Sequence, residues 1–208
     1  MTHRIVDLDT WPRAAQFRFF LGYQQPHYAT TVRLDVTHLM ARKSDGVSLY
    51  RACLYAIGAG IHAVPELCMR FRGETVVAHD MITLSMTVPT EGGSFGYAYV
   101  PFLADFPVFD AQAEQLISDV AKGNALQPNS GERDDLAYLS CMPWLDYTSI
   151  NNALPGPKDC IPRVTWGKIV ARHDRFEMAM TLEVHHALVD GAQVGAYFAE
   201  AQAALDRI

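Results

Sequence analysis

Residues 175–185 run directly into His186-Ala187-Leu188-Val189-Asp190-Gly191, and this passage limits the fold more than any other. Phe176, Met178, Met180, Leu182 and Val184 share one face of an extended chain; Glu177, Ala179, Thr181, Glu183 and His185 share the other. That period-two alternation predicts a strand, and a strand continued by one residue would give His186 the parity of the apolar face. Asp190 then opens a helix, with Gln193 as the second half of a capping pair and Val194, Tyr197, Phe198, Ala201 and Leu205 as the buried stripe. Strand, turn and capped helix together fix the pattern H-H-x-x-x-D-G. Taking about one in twenty per fixed position, a chance match in a chain this long is roughly a one-in-a-thousand event, so the motif carries weight.

The rest of the chain supplies a sheet for that strand and helices to cover it. Thr10-Trp11-Pro12-Arg13 reads as a helix start, with Thr10 as cap, Pro12 in the first turn and Phe17, Phe20 and Leu21 on the apolar face. Residues 28–36 alternate as a strand. Residues 48–63 read as a longer helix with Leu49, Ala52, Cys53, Ala56, Ile57 and Gly60 on one face, stopping before Pro65. Its small residues Gly58, Ala59 and Gly60 suggest close packing against a sheet. Residues 74–100 are β-like, with turns at Gly73 and at Glu91-Gly92-Gly93. Residues 110–122 read as a helix ended by Gly123, and 128–135 as a polar loop. Strands are expected at 136–147, 163–172 and 175–185, the last two joined by a tight turn at His173-Asp174. The fold class is α+β, a mixed β-sheet covered by helices.

At 208 residues, half of them hydrophobic, the chain is most economically one domain over 1–208, although two small ones would also fit the length. The net charge of −6 without a basic run argues against a nucleic-acid or anionic-membrane surface. Cys53, Cys68, Cys141 and Cys160 form no C-x-x-C pair and no zinc-finger spacing, so they read as reduced thiols in or near the core. The first residues lack the apolar stretch of a signal peptide, and no run approaches the roughly 20 apolar residues that span a bilayer. A cytoplasmic location is expected.

Histidine titrates near neutrality and can act as a general base. No serine or cysteine stands in a nucleophile-elbow context, so the proton would come from a substrate hydroxyl or thiol. His186 is the candidate, while His185 reads as structural. Asp190 has two readings, orienting the imidazole or capping the last helix and pairing with an arginine; the second fits better because it begins a helix. A metal site on the two histidines is a poor reading, since adjacent strand residues point to opposite faces.

Several blocks, in order, resemble the chloramphenicol acetyltransferase family over nearly the whole chain. They are Trp11-x-Arg13-x-x-x-Phe17, Leu34-Asp35-Val36-Thr37, Pro143-Trp144 with Thr148-Ser149, Pro162-x-x-Thr165-x-x-Lys168, and the histidine motif. The resemblance implies a homotrimer with active sites at subunit interfaces and acetyl-CoA as cosubstrate, no cofactor being permanently bound. His186 would be the general base, its ring held by its own backbone carbonyl. Arg13 and Asp190 would form a buried ion pair supporting the loop. Ser149 would donate to the oxyanion, Thr165 would act through a bound water, and Tyr28 and Phe20 would contact substrate. Acetyl transfer to a chloramphenicol hydroxyl, and hence antibiotic resistance, is the expected activity.

Some positions depart from the family. Phe20 stands where a Tyr is common, Ile169 where a Tyr usually follows the lysine, and Glu183 where a Gln precedes the histidine pair. Gln24-Gln25-Pro26-His27-Tyr28 replaces a run like Pro-Cys-Gly-Phe, and residues 88–106 align poorly. Another small alcohol is therefore a rival acceptor. The core of a dihydrolipoamide acyltransferase and a catalytically dead binding module are the remaining rivals; no lipoyl segment or long Ala/Pro linker accompanies the chain to favour the first.

Overall fold

The computed structural model describes residues 3–91, 93–123 and 127–208. In chain order the elements are β1 (His3–Ile5), α1 (Ala14–Leu21), β2 (His27–Asp35), α2 (Thr37–Arg42), α3 (Leu49–Ala63), β3 (Met69–Arg72), β4 (Thr75–His79), β5 (Thr83–Pro89), β6 (Phe95–Pro101), α4 (Phe106–Ala121), β7 (Leu136–Cys141), β8 (Arg163–Arg172), β9 (Arg175–His185) and α5 (Gly191–Arg207). A six-stranded mixed sheet runs β2-β9-β8-β7-β5-β6, and a three-stranded sheet runs β1-β4-β3. In the larger sheet β7 lies parallel to both β5 and β8, and the other pairs are antiparallel.

Strand β9 forms over the expected residues, and the turn at His173-Asp174 joins it to β8, with His173 in the left-handed region at φ 53°. Its apolar face packs on α3 and α5: the Cys53 thiol meets Met178 sulfur at 3.9 Å, and the Tyr197 hydroxyl meets Met180 sulfur at 3.5 Å. The opposite face is also covered from Ala179 to His185, so Thr181, Glu183 and His185 are buried. Polar side chains on a buried face need partners, and these residues find them in the segment after β7.

That segment corrects one expectation. The strand predicted at 136–147 ends at Cys141, because Pro143 turns the chain across a bulge in β8. Met142 N–H donates to Trp166 O at 2.8 Å, and Lys168 N–H donates to Leu145 O at 2.8 Å. Gly167 makes the crossing possible, since a Cβ there would sit 2.6 Å from Leu145 O. The Tyr147 hydroxyl then donates to Thr165 O at 2.7 Å and tacks the crossing down.

Other expectations shift for local reasons. The first helix begins at Ala14, not at Pro12: Thr10 spends its hydroxyl on Asp7 Oδ2 at 3.0 Å and caps nothing. Helix α4 starts at Phe106, four residues before the expected start, with Asp105 accepting from Val108 N–H at 3.0 Å. Strands β1 and β3 and helix α2 are additions to the elements read from the sequence. The expected turn at 91–93 includes Gly92, which lies outside the described residues; its neighbour Gly93 has φ 76°. The four cysteines are free thiols, Cys53 and Cys68 buried and Cys141 and Cys160 half-buried. Among the described residues no helix is long and apolar enough to cross a membrane.

Helix α3 starts where expected, with Ser48 accepting from Arg51 N–H. Its two glycines make their nearest approaches to side chains outside the sheet strands. A Cβ on Gly58 would fall 2.3 Å from the Phe102 ring, and one on Gly60 would fall 2.8 Å from the Tyr197 ring and 3.0 Å from its carbonyl oxygen. Gly60 therefore sets how closely α3 and α5 approach. Gly195, by contrast, is exposed on α5 with open space around its Cβ position. Overpacking costs about 1–3 kcal/mol, against the roughly 1 kcal/mol by which alanine favours a helix over glycine. Gly60→Ala is expected to lower the urea midpoint, and Gly195→Ala to raise it; equal shifts in the two would contradict this packing account.

Candidate active site

The loop between β9 and α5 carries the motif. Asp190 caps α5 by accepting from Ala192 N–H at 3.2 Å, while Gln193 Oε1 accepts from Asp190 N–H at 3.2 Å, completing the expected capping box. The other carboxylate oxygen pairs with the Arg13 guanidinium. Arg13 is buried and its Nε also donates to Leu188 O at 3.1 Å. One side chain from the start of α1 thus ties both the middle and the end of the 186–190 loop.

His186 sits at the first position of that loop, just past β9. It lies in a turn, but its N–H donates to Pro26 O at 2.9 Å, one pair beyond His27–His185 in the β2–β9 register, so it keeps the parity of the apolar face, on which Tyr28 stands opposite Val184. Its ring stacks on Phe20 with centroids 3.9 Å apart and planes 9° from parallel, and Tyr28 approaches from another side at 4.8 Å. Nδ1 is enclosed and has no hydrogen-bond partner, so the contact with its own carbonyl implied by the family resemblance is not formed. Stacking between two aromatic neighbours holds the ring instead. Nε2 remains the accessible nitrogen.

Tyr28 donates to Val189 O at 3.4 Å, and burial together with the Asp190 charge pushes its phenol up to about 12, against the lowering influence of Arg13. The phenol is therefore a hydrogen-bond donor at neutral pH and not an anion.

His185 has a separate role. It is buried, its Nδ1 accepts from Ala187 N–H at 3.1 Å, and its Nε2 donates to Pro157 O at 2.9 Å. Those two bonds assign the neutral tautomer with the proton on Nε2. His185 thereby joins the motif loop to the 155–161 segment, to which His27 also bonds at Asp159 O, 2.5 Å away.

Ser149 lies exposed on the segment after Tyr147, without a hydrogen bond to His186 within one chain. Thr165 is buried on β8 and its Oγ1 has no partner. Exposed large side chains accompany the two halves: Trp144 is 80% exposed near Ser149, and Phe19 is 62% exposed beside Phe20. The structure brings His186, Asp190, Arg13, Tyr28 and Phe20 together; Thr165 lies on β8 and Ser149 in the irregular segment after β7, and neither makes a contact with that group.

Two clefts flank this region. One, of about 430 Å³, is lined by Gln24, Gln25, His27, Tyr28, Asn152 and Glu183 among others, and Tyr28 connects it to His186. The other, of about 770 Å³, is lined by Phe71, Tyr138, Asp159, Cys160 and Arg163 among others and holds none of the expected site residues. Of the two, the smaller includes an expected site residue, Tyr28, and His186 lines neither. Sequence reading missed Pro26 and Asn152: the first acts through a backbone carbonyl, which leaves no signal in residue type, and the second holds Glu183 through contacts distant in sequence. Among the described residues no three His, Cys, Asp or Glu side chains are grouped to hold a metal ion.

Burial lowers the His185 pKa from 6.5 to about 4, the largest cause outweighing the bond to Pro157. The unfolded chain then binds the proton more readily between these values. Stability is fully present above pH 6.5 and falls as pH drops toward 4. Thermal melts across that window should show this slope and should show a shallower one for His185→Gln; identical slopes would remove His185 as its source.

A sequence profile of the chloramphenicol acetyltransferase family matches residues 1–202. A chloramphenicol acetyltransferase of Staphylococcus aureus is 28% identical over 97% of this chain and 98% of its own length. A solved chloramphenicol acetyltransferase superposes with a TM-score of 0.89 at 25% identity, covering 98% of this chain and 100% of that one. A probable dihydrolipoamide acetyltransferase of Listeria monocytogenes gives a TM-score of 0.68 at 16% identity over 94% of this chain and 90% of that one, a likeness of fold alone.

Proposed function

The chain belongs to the chloramphenicol acetyltransferase family and is an acyltransferase, and on that basis we propose that it moves acetyl from acetyl-CoA directly to a hydroxyl of chloramphenicol, with His186 as general base. The observation that carries this reading is His186 itself. Its ring packs against Phe20 and Tyr28, its loop is tied by Arg13 and Asp190, and Nε2 is left accessible.

In the proposed reaction both substrates are bound together, so proximity replaces an acyl-enzyme. Nε2 of His186 takes the acceptor hydroxyl proton as the oxygen attacks the thioester carbonyl carbon. The tetrahedral oxyanion accepts a hydrogen bond from Ser149, and Thr165 assists through a bound water. Collapse breaks the carbon–sulfur bond, and the CoA thiolate recovers the proton from His186. The acetyl group gains the acceptor oxygen, the thiol gains the proton, and no oxidant or metal enters the balance.

Ser149 makes no hydrogen bond to His186 within one chain, and each stands near exposed aromatic surface. We place them in one site across a subunit interface of a homotrimer. The reading includes a cytoplasmic location, where acetyl-CoA is available. Acetylation of another small hydroxylated acceptor is the second reading, favoured by the polar lining that Gln24, Gln25 and Glu183 give the cleft.

Thiol release from acetyl-CoA with chloramphenicol tests the activity. His186→Ala should lose about 10²–10⁴-fold in kcat, and Ser149→Ala about 10²–10³-fold. Acetylated protein trapped in place of product would reject direct transfer. Refolding the two inactive variants together should restore part of the turnover, because mixed trimers contain interfaces with both residues intact. A mixture no more active than its parts, or a monomer by sedimentation, would reject the shared site.

A further inference from the structure

Three hydroxyl groups form a directed chain that ends at Thr165. The Tyr147 phenol donates to Thr165 O at 2.7 Å, and a carbonyl only accepts, so its single proton is spent there. The Thr181 hydroxyl is therefore the donor in its 3.3 Å contact with the Tyr147 oxygen. With the Thr181 proton used, Thr31 must donate to Thr181 at 2.7 Å. The register places Thr31, Thr181 and Thr165 in one row across β2, β9 and β8. Burial holds the Tyr147 pKa above its ordinary value of 10.0, so the phenol keeps its proton at neutral pH.

The chain ends where the sheet is interrupted. Thr165 stands one residue before the β8 bulge, which breaks the ladder to β9 between Trp166 and Ile169. Its own hydroxyl is enclosed and has no hydrogen-bond partner, so that group does not anchor it. The anchor comes from the crossing segment. The Tyr147 ring fills the space over Gly167, where a Cβ would lie 3.0 Å from it, and the phenol reaches back to the Thr165 carbonyl. We propose that Tyr147 is a positioning residue for acetyl transfer, its hydroxyl holding Thr165 in place beside the bulge. The inference rests on the proposed reading that Thr165 takes part in the transfer. Polarisation along the three hydroxyls strengthens the last bond, the one that meets Thr165. A phenylalanine would keep the ring over Gly167 and lose the tie.

The test is a cycle of Tyr147→Phe, Thr165→Val and the double variant, each assayed by thiol release from acetyl-CoA with chloramphenicol and checked for folding by circular dichroism. Tyr147→Phe should lower kcat about tenfold, the scale of a slightly misplaced group, with KM for acetyl-CoA little changed. Thr165→Val should lose at least as much. In the Thr165→Val background, adding Tyr147→Phe should cost nothing further, because the group it positions is already gone. An unchanged kcat in Tyr147→Phe, or the same tenfold loss in both backgrounds, would overturn the proposal. Thr165→Val alone reports on the reading beneath it: a wild-type rate there would reject a part for Thr165 in the transfer. Amide hydrogen exchange at Thr165 and Trp166 keeps the two apart, since it reads the tie without turnover. Faster exchange in Tyr147→Phe supports the positioning, and identical exchange would overturn it whatever the activities show.

Discussion

The ion pair between Arg13 and Asp190 is the constraint on which the site depends. It joins the beginning of the chain to its last helix and closes over the loop that carries His186. Both groups have second duties, Arg13 at Leu188 O and Asp190 at the first turn of α5. The pair therefore sets helix entry and loop path through one contact. Arg13 is buried but the Asp190 side chain is 35% exposed, so the pair is half-buried and not fully buried as the resemblance implied; it contributes less to net stability than to selecting one arrangement, because desolvation of the guanidinium offsets much of the attraction. Here the arrangement selected is the one that leaves one nitrogen of His186 open.

The motif's two histidines divide the work by geometry. His185 turns back into the protein and meets two backbone groups, which keeps it neutral and makes it a strut between the loop and the 155–161 segment. His186 follows β9 by one residue and takes the opposite parity, and aromatic faces hold it without occupying its outer nitrogen. A strut needs satisfied hydrogen bonds, whereas a base needs a free lone pair. The same side chain serves both purposes one position apart because the strand ends between them.

Much of this was legible in the sequence wherever a dense pattern had a physical stop. The β8–β9 hairpin and α5 were read correctly because alternation, a tight turn and a capping pair agree. The pairing of Arg13 with Asp190 followed from the cap and the family resemblance together. Failures came where exposed apolar residues imitate a strand, as Trp144 and Leu145 do after β7. They also came where an element is too short to show a period, as with β1, β3 and α2. The start of α4 was hidden because Val108 is exposed and breaks the expected stripe, although Asp105 and Pro107 mark the start clearly. The stack of Phe20 on His186 was not legible, since an apolar helix face does not say which ring it will meet.

Substituting Asn for Asp190 is the most direct test of the central claim, because asparagine caps a helix as well as aspartate does and removes only the charge facing Arg13. The measurement is kcat and KM for thiol release from acetyl-CoA, taken beside a circular-dichroism spectrum. The account predicts a fall of about 10²-fold in kcat, the scale of a misplaced reacting group, with KM for acetyl-CoA and helix content little changed. An unchanged kcat would contradict it, and would show that His186 is positioned without the ion pair.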